Sequence, residues 1–143
     1  MEISGTITIA APAERVWAIL TDFGAYAQWN PFLEQASGSA VVGSRLTIRF
    51  HPPGSRATTL RPTVLSADPG RELRWRGRVL LPGLLDAVHH FTIEPDGPNR
   101  VKFTQHETFS GLLLPLFGAT LRNGERGFAA MNQALKTRAE GGA

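Results

Sequence analysis

Hydrophobic and polar residues alternate along several stretches of the chain, a pattern typical of β-strands that bury one face. The first such stretch, 2–9, has Ile3, Ile7 and Ile9 on its apolar side. The alternation recurs between 32 and 109, where it is interrupted by turn sequences at 52–55, 68–70, 82–83 and 95–98. Because short turns join successive strands, this region is predicted to form an antiparallel meander of about six strands.

Two other stretches follow helical spacing. After Ala11-Pro12, the residues Val16, Leu20 and Phe23 fall on one face of a helix, and proline suits the first helical position. A short second helix is predicted to carry Tyr26 to Trp29 and to end at Asn30-Pro31. Near the C-terminus, apolar residues at intervals of four and three predict one stripe along a single long helix: Phe117, Leu121, Gly124, Phe128, Met131 and Leu135.

These elements predict an α+β fold in which a strand, two short helices, about six strands and a long helix follow in that order. A helix with one apolar stripe needs a concave apolar sheet to pack against. The chain has 143 residues, which corresponds to a single domain, 1–143, with room for a sizeable core.

The composition excludes several kinds of site. The chain has no cysteine, which excludes disulfides, thiolate metal ligands and a cysteine nucleophile. Adjacent His89 and His90 point to opposite sides of a strand and no carboxylate cluster accompanies them, so no metal and no cofactor are expected. No apolar stretch approaches the about 18 residues of a membrane span, and no secretory pattern is visible, so we expect a soluble cytoplasmic protein.

Positive charge is concentrated in the middle of the chain. The formal net charge is +3, and eight arginines lie between Arg45 and Arg78 against only Asp68 and Glu72. Such a stretch could contact nucleic acid or an anionic membrane surface. We favour a solvated sheet face, because arginines alternate with apolar residues over 73–79 and no recognition helix accompanies them. No nucleic-acid partner is therefore expected.

Short segments spread over nearly the whole chain form a recognisable set. They are Val16-Trp17, Leu20-Thr21-Asp22-Phe23, Tyr26, Trp29-Asn30-Pro31-Phe32, Gly43, Leu73-Arg74-Trp75-Arg76-Gly77, His89-His90-Phe91, Glu107-Thr108-Phe109-Ser110-Gly111 and Gly127-Phe128-Ala129-Ala130-Met131-Asn132. This set resembles the SRPBCC, or START-like, superfamily, in its branch of polyketide cyclase/dehydrase and lipid-transport-like proteins.

The resemblance implies a helix-grip fold, in which a curved seven-stranded antiparallel sheet wraps around the long C-terminal helix and encloses a cavity. Members of the superfamily bind lipids, polyketides, hormones or other apolar molecules. A minority catalyse cyclisation or dehydration, and others act as chaperone co-activators. The fold alone does not choose among these functions.

Strand parity assigns the residues that would line such a cavity. The set is mostly apolar, with three polar exceptions, as expected for a small-molecule site. From the strands we expect Trp75, Val79, His89, Phe91, Phe103, Gln105, Glu107 and Phe109, and from the helix Leu121, Phe128 and Met131.

His89 and Glu107 are the ionisable residues predicted to face inward, on strands expected to be neighbours. A buried carboxylate must be paired, hydrogen-bonded or protonated. The two residues could orient a ligand, form a purely structural pair, or act as a general acid and base. Tyr26 and Trp29 could also reach a ligand, although packing of the short helices is the preferred interpretation.

Two leucine-rich segments, 80–85 and 112–117, are predicted to meet at one end of the sheet. Turns are normally polar, so leucines there are informative. We call Leu81, Leu84, Leu85, Leu112 and Leu113 the gate leucines and expect them to admit an apolar ligand, with possible transient membrane contact. The alternative is that they pack on each other or form a dimer contact.

Three functions remain open from the sequence. The preferred one is binding or transport of a hydrophobic small molecule, such as a lipid, polyketide or aromatic metabolite, by a monomer or homodimer. The second is a cyclase, dehydratase or hydrolase that uses His89 or Glu107 as acid or base. The third is a protein-interaction or co-chaperone module. A sizeable cavity favours the first two, and a filled interior favours the third.

Overall fold

The computed structural model describes residues 1–79 and 81–141, without the side chain of Val79. Within this part, eight strands and three α-helices are formed. The strands are β1 (Glu2–Ile9), β2 (Leu33–Ser37), β3 (Thr47–Phe50), β4 (Thr58–Leu60), β5 (Thr63–Asp68), β6 (Glu72–Val79), β7 (Leu85–Pro95) and β8 (Val101–Ser110). The helices are α1 (Ala13–Thr21), α2 (Leu114–Arg122) and α3 (Gly124–Glu140), and a short 3₁₀ helix covers Phe23–Gln28.

The strands form two antiparallel sheets. The larger has the order β1-β8-β7-β6-β5, and the smaller has the order β2-β3-β4. The sheets meet where Arg45 pairs with Thr63 in an isolated bridge. The polypeptide therefore forms the curved antiparallel wall that the sequence predicts.

The strand count differs from the predicted seven, because the strand predicted between the turns at 52–55 and 68–70 is divided at Pro62. Proline has no N–H to donate to a sheet ladder. The Pro62 carbonyl instead accepts a hydrogen bond from the Leu46 N–H at 2.8 Å. Consequently β4 joins the small sheet and β5 joins the large one.

The predicted single C-terminal helix is also divided, at Asn123. The Asn123 side-chain amide donates to the Pro53 carbonyl at 2.7 Å, which fixes this point to the loop between β3 and β4. No residue of α2 is buried, and Phe117, expected on the buried stripe, is 41% exposed. The buried stripe begins only at Gly124.

Helix α3 packs directly on the large sheet. Its residues Phe128, Met131 and Leu135 are fully buried. Gly5 of β1 permits the close approach, because a Cβ there would lie 3.4 Å from the Phe128 Cβ. Gly127 makes room instead for Phe32, since a Cβ on Gly127 would lie 2.4 Å from the Phe32 ring. The contact of α3 with the sheet fills the half of the fold nearest to β1.

The other face of the large sheet is polar. Arg74, His90 and His106 stand side by side there on three neighbouring strands. Among the described residues, no helix combines the length and hydropathy needed to cross a membrane.

Candidate functional site

A cavity of about 230 Å³ lies between the large sheet, the small sheet and the junction of α2 with α3. Its wall is almost entirely apolar. The lining residues are Phe32, Phe50, Pro52, Ser55, Arg56, Thr58, Leu60, Pro62, Trp75, Gly77, Leu85, Ala87, Glu107, Phe109, Thr120, Leu121 and Gly124.

The hollow arises because two neighbouring residues of the sheet, Gly77 and Ala87, are small. Together with Phe109 they form one row across β6, β7 and β8. A Cβ built on Gly77 meets nothing within 4 Å, so this position faces open space. The opening is on the side of the β3–β4 loop and α2, where the lining residues Arg56 and Thr120 are exposed.

Glu107 is the carboxylate of this wall. It lies in the next row of the sheet, beside His89, which in turn lies beside Trp75. The Glu107 side chain is 12% exposed, and its Oε2 lies 3.6 Å from His89 Nδ1. That distance is longer than a hydrogen bond, and Nδ1 is buried without a hydrogen-bond partner.

The other ring nitrogen of His89 is fixed by a buried chain of amides. His89 Nε2 lies 2.9 Å from Gln105 Oε1, and the Gln105 amide nitrogen donates to Asn132 Oδ1 at 2.8 Å. Because the Gln105 oxygen only accepts, Nε2 carries the proton. Nδ1 is therefore the ring nitrogen that Gln105 leaves unused, and Glu107 is the carboxylate nearest to it.

The His89 ring is held in an aromatic cage. It stacks on Phe91 with ring centroids 4.3 Å apart and planes 14° apart. The Trp75 ring lies 5.5 Å away and the Phe128 ring 5.0 Å away. The ring has little freedom to turn, so the position of Nδ1 relative to Glu107 is set by packing.

Sequence reasoning did not find Asn132, although its signal is present. Asn132 lies four residues after Phe128 and three before Leu135, so it is a polar residue on the apolar stripe of α3. Its buried amide reaches Gln105 on the sheet. The chain Glu107–His89–Gln105–Asn132 thus connects the cavity wall to the C-terminal helix.

The structure divides the predicted lining residues into two groups. Trp75, Glu107, Phe109 and Leu121 line the cavity. Six others do not line it and lie in the closed core, because α3 fills that half of the fold: His89, Phe91, Phe103, Gln105, Phe128 and Met131. The side chain of Val79 is outside the described part.

The two leucine-rich segments do meet at one rim. The Leu113 N–H donates to the Leu84 carbonyl at 2.8 Å, which extends the pairing of β7 with β8. Leu81 is 69% exposed and Leu112 is 82% exposed, whereas Leu85 is buried and lines the cavity. Leu84 and Leu113 are half-buried.

Helix α2 adds to this rim in a way that the sequence reasoning missed. Leu116, predicted only as part of an apolar segment, is 77% exposed, and Phe117 is exposed beside it. The segment 111–121 has no charged residue. An exposed apolar helix therefore stands next to the cavity opening.

Tyr26 and Trp29 do not line the cavity. Tyr26 is fully buried and donates its hydroxyl proton to the Leu20 carbonyl, and its ring contacts Trp29 with centroids 5.3 Å apart. Both side chains pack the short helices. No group of three metal-ligating side chains occurs in the part of the chain that the structure describes.

A curved antiparallel sheet that grips a C-terminal helix and leaves an apolar hollow defines the helix-grip class of ligand-binding folds. The chain belongs to the family described as polyketide cyclase / dehydrase and lipid transport, which matches residues 1–140. The predicted superfamily and the predicted helix-grip fold are confirmed. No protein with a curated function matches the chain.

Solved structures share this fold at low sequence identity. A START superfamily protein from Mycobacterium smegmatis superposes with a TM-score of 0.78 and 21% identity, over 99% of each chain. The Zhui aromatase/cyclase from Streptomyces sp. R1128 has a TM-score of 0.79 and 19% identity, over 98% of this chain and 93% of that one. Norcoclaurine synthase from Thalictrum flavum has a TM-score of 0.76 and 15% identity, over 99% of this chain and 95% of that one.

Proposed function

We propose that this protein binds a compact hydrophobic small molecule in the cavity. The observation that carries the proposal is an apolar hollow of about 230 Å³ with one carboxylate, Glu107, in its wall. Typical ligand pockets enclose about 300–1,000 Å³, so the occupant is small, on the scale of fused rings rather than a long acyl chain.

Apolar burial supplies the affinity. Each square ångström of apolar surface removed from water contributes about 25 cal/mol, from which the cost of association is subtracted. The family's association with lipid transport and polyketide chemistry supports a hydrophobic ligand. A hollow of this kind gives less support to a protein-interaction module, which needs a surface rather than an internal space.

Blocking the cavity tests the proposal. Gly77→Phe places a ring in the open space beside Ala87 and is expected to abolish binding of methylnaphthalene, measured by equilibrium dialysis with naphthalene fluorescence. Arg76→Phe, on the opposite face of the same strand, is the matched control and should bind like the wild type. Equal binding by all three proteins would refute the cavity as the binding site.

A second candidate function is acid–base catalysis on the bound molecule. The carboxyl of Glu107 at the cavity wall favours it, because this group can exchange a proton with a bound molecule and the buried His89 Nδ1 lies 3.6 Å from its Oε2. The Glu107 carboxylate would remove a proton from a carbon next to a ketone. The resulting enolate would attack a second carbonyl carbon of the same molecule, and the Glu107 acid would return the proton to the new alkoxide.

Proton exchange tests this candidate without the natural substrate. Tetralone, a compact bicyclic ketone, exchanges the hydrogens next to its carbonyl in deuterated water, and NMR follows the rate. A catalyst of this type accelerates the exchange, and Glu107→Gln removes the acceleration. Exchange no faster than in buffer alone would leave the protein as a binding protein.

The gate leucines and α2 support a route for ligand uptake. We propose that the ligand passes between the 81–85 turn and α2, where Leu85 and Leu121 connect the exposed rim to the cavity wall. An apolar rim lowers the cost of moving an apolar molecule from a membrane or a donor protein into the hollow.

A further inference from the structure

We infer, on the basis of the proposed function, that the ligand is an apolar molecule that carries a neutral hydrogen-bond donor, an alcohol or phenol hydroxyl, and that Glu107 accepts this hydrogen bond. Glu107 would select this class of ligand because its carboxylate lines the cavity and, among the described residues, has only His89 as an ion-pair partner.

Glu107 presents unused acceptor capacity to the cavity. A carboxylate has about four lone-pair sites. Within the described residues, the ion-pair partner of Glu107 is His89 at 3.6 Å, and its carboxylate oxygens accept no hydrogen bond from the protein. The remaining lone pairs face the apolar hollow that the side chain lines.

His89 serves Glu107 and not the ligand. Its Nε2 proton is committed to Gln105, and its Nδ1 is buried, so a ligand atom does not reach it. Nδ1 lies 3.6 Å from Glu107 Oε2, which is too far for a hydrogen bond. The carboxyl of Glu107 therefore lines the cavity as an acceptor that the described residues leave unused.

An acceptor in an apolar wall discriminates between otherwise similar ligands. A ligand without a donor leaves the carboxylate desolvated and unpaired, which is costly. A ligand carboxylate placed there adds a like charge. A cationic ligand must lose its own hydration on entering the apolar hollow, which is costly. A neutral hydroxyl satisfies the carboxylate with none of these costs.

Three naphthalenes substituted at the same ring position test the inference: naphthol, methylnaphthalene and naphthoate. Equilibrium dialysis at neutral pH gives the dissociation constant of each with the full-length protein. Wild type is expected to bind naphthol about tenfold or more tightly than methylnaphthalene, the ratio expected for a hydrogen bond to a charged group. Naphthoate should bind weakest.

Substitutions in β8 test whether Glu107 causes the preference for naphthol. Glu107→Leu should bring the naphthol-to-methylnaphthalene ratio close to one, and Glu107→Gln, which keeps the shape, should reduce it. Thr108→Val, a neighbour on the outer face of β8, should keep the wild-type ratio. Circular dichroism melting shows whether each variant is folded. If Glu107→Leu does not fold, the comparison of wild type with Glu107→Gln tests the inference.

The outcomes separate this inference from the proposed function. Equal binding of naphthol and methylnaphthalene by wild type overturns the donor preference while leaving the cavity as a hydrophobic site. Tightest binding of naphthoate, or an unchanged ratio in both Glu107 variants, also overturns it. Binding of none of the three compounds overturns the proposed function itself.

Discussion

Tyr26, the single tyrosine of the chain, shows how one buried polar atom ties two short helices together. Its hydroxyl donates to the Leu20 carbonyl near the end of α1, and its ring packs edge-on against Phe23. Burial raises the pKa of the Tyr26 phenol far above its ordinary value of 10.0, with a further increase from Asp22. The folded protein therefore resists ionisation of this group.

The raised pKa predicts alkaline destabilisation. The neutral phenol contributes stability that is fully present at pH values below its ordinary pKa of 10.0. This contribution is lost as the pH rises above 10.0 toward the raised pKa of the folded protein. Ultraviolet absorbance of the phenolate, which only Tyr26 can give, is expected to appear together with unfolding. A smooth titration near the ordinary value in folded protein would contradict this. Tyr26→Phe should remove this pH dependence and cost about 1 kcal/mol at neutral pH.

Asn132 is a second residue whose contribution depends on one contact. Asn132→Leu keeps the approximate size of the side chain but leaves the buried Gln105 amide without its acceptor. We expect a loss of about 1–3 kcal/mol in the free energy of unfolding, measured by urea denaturation. Gln133→Leu, the exposed neighbour, is the control and should change stability little. A neutral effect of Asn132→Leu would show that the amide finds another partner.

At the scale of elements, α2 is unlike α3. A helix that is apolar on its outward side normally lies in a core or against a partner. In α2, however, Leu116 and Phe117 are exposed, and the helix is fixed at its end by Asn123. Its position beside the cavity opening, together with the exposed gate leucines, places it along the proposed route.

We predict that this rim controls the rate of ligand uptake rather than the affinity. Leu112→Ser with Leu116→Ser should slow both association and dissociation of methylnaphthalene several-fold, with little change in the dissociation constant, in stopped-flow fluorescence. Val41→Ser with Val42→Ser replaces two other exposed apolar residues, which are far in sequence from the gate leucines, and serves as the control. Unchanged rates in the leucine variant would remove the gate.

At the scale of the whole molecule, three titratable groups change the free energy of unfolding with pH in the same direction. Burial and nearby Arg74 lower the pKa of His90. Hydrogen bonds from His51 and Arg49 lower the pKa of Glu34, which joins β2 to β3. A hydrogen bond from Lys136 and another from the Ala10 N–H lower the pKa of Glu140, which joins α3 to the end of β1.

All three shifts predict loss of stability as the pH falls. Since the unfolded chain binds a proton more readily at each group, the free energy of unfolding should decline below the ordinary histidine value of 6.5 and again below the ordinary carboxyl value of 4.5. Urea denaturation over a pH series measures it. His90→Gln should reduce the decline below pH 6.5. The double variant Glu34→Gln with Glu140→Gln should reduce the decline below pH 4.5. Stability that rises toward acid would contradict the assignment.

The order of elements and the faces of the strands follow from local patterns, whereas the superfamily follows from the resemblance of sequence segments. Alternation placed Trp75, His89 and Glu107 on the inner face, where the structure has them in one row. Such patterns depend on residues two to four positions apart, and hydrophobic burial enforces them wherever the chain folds. The sequence by itself therefore determined the fold and identified Glu107 as a residue of interest.

Which part of the interior is filled was decided only by tertiary structure. The approach of α3 to β1 at Gly5, together with the contact of Gly127 with Phe32, closes the core around Phe103 and Gln105, and the absence of a side chain at Gly77 leaves the hollow elsewhere. The division of the predicted strand at Pro62 and the hydrogen bond between Gln105 and Asn132 were also decided by tertiary structure. Each depends on distances between elements far apart in sequence, and local periodicity carries no information about such distances.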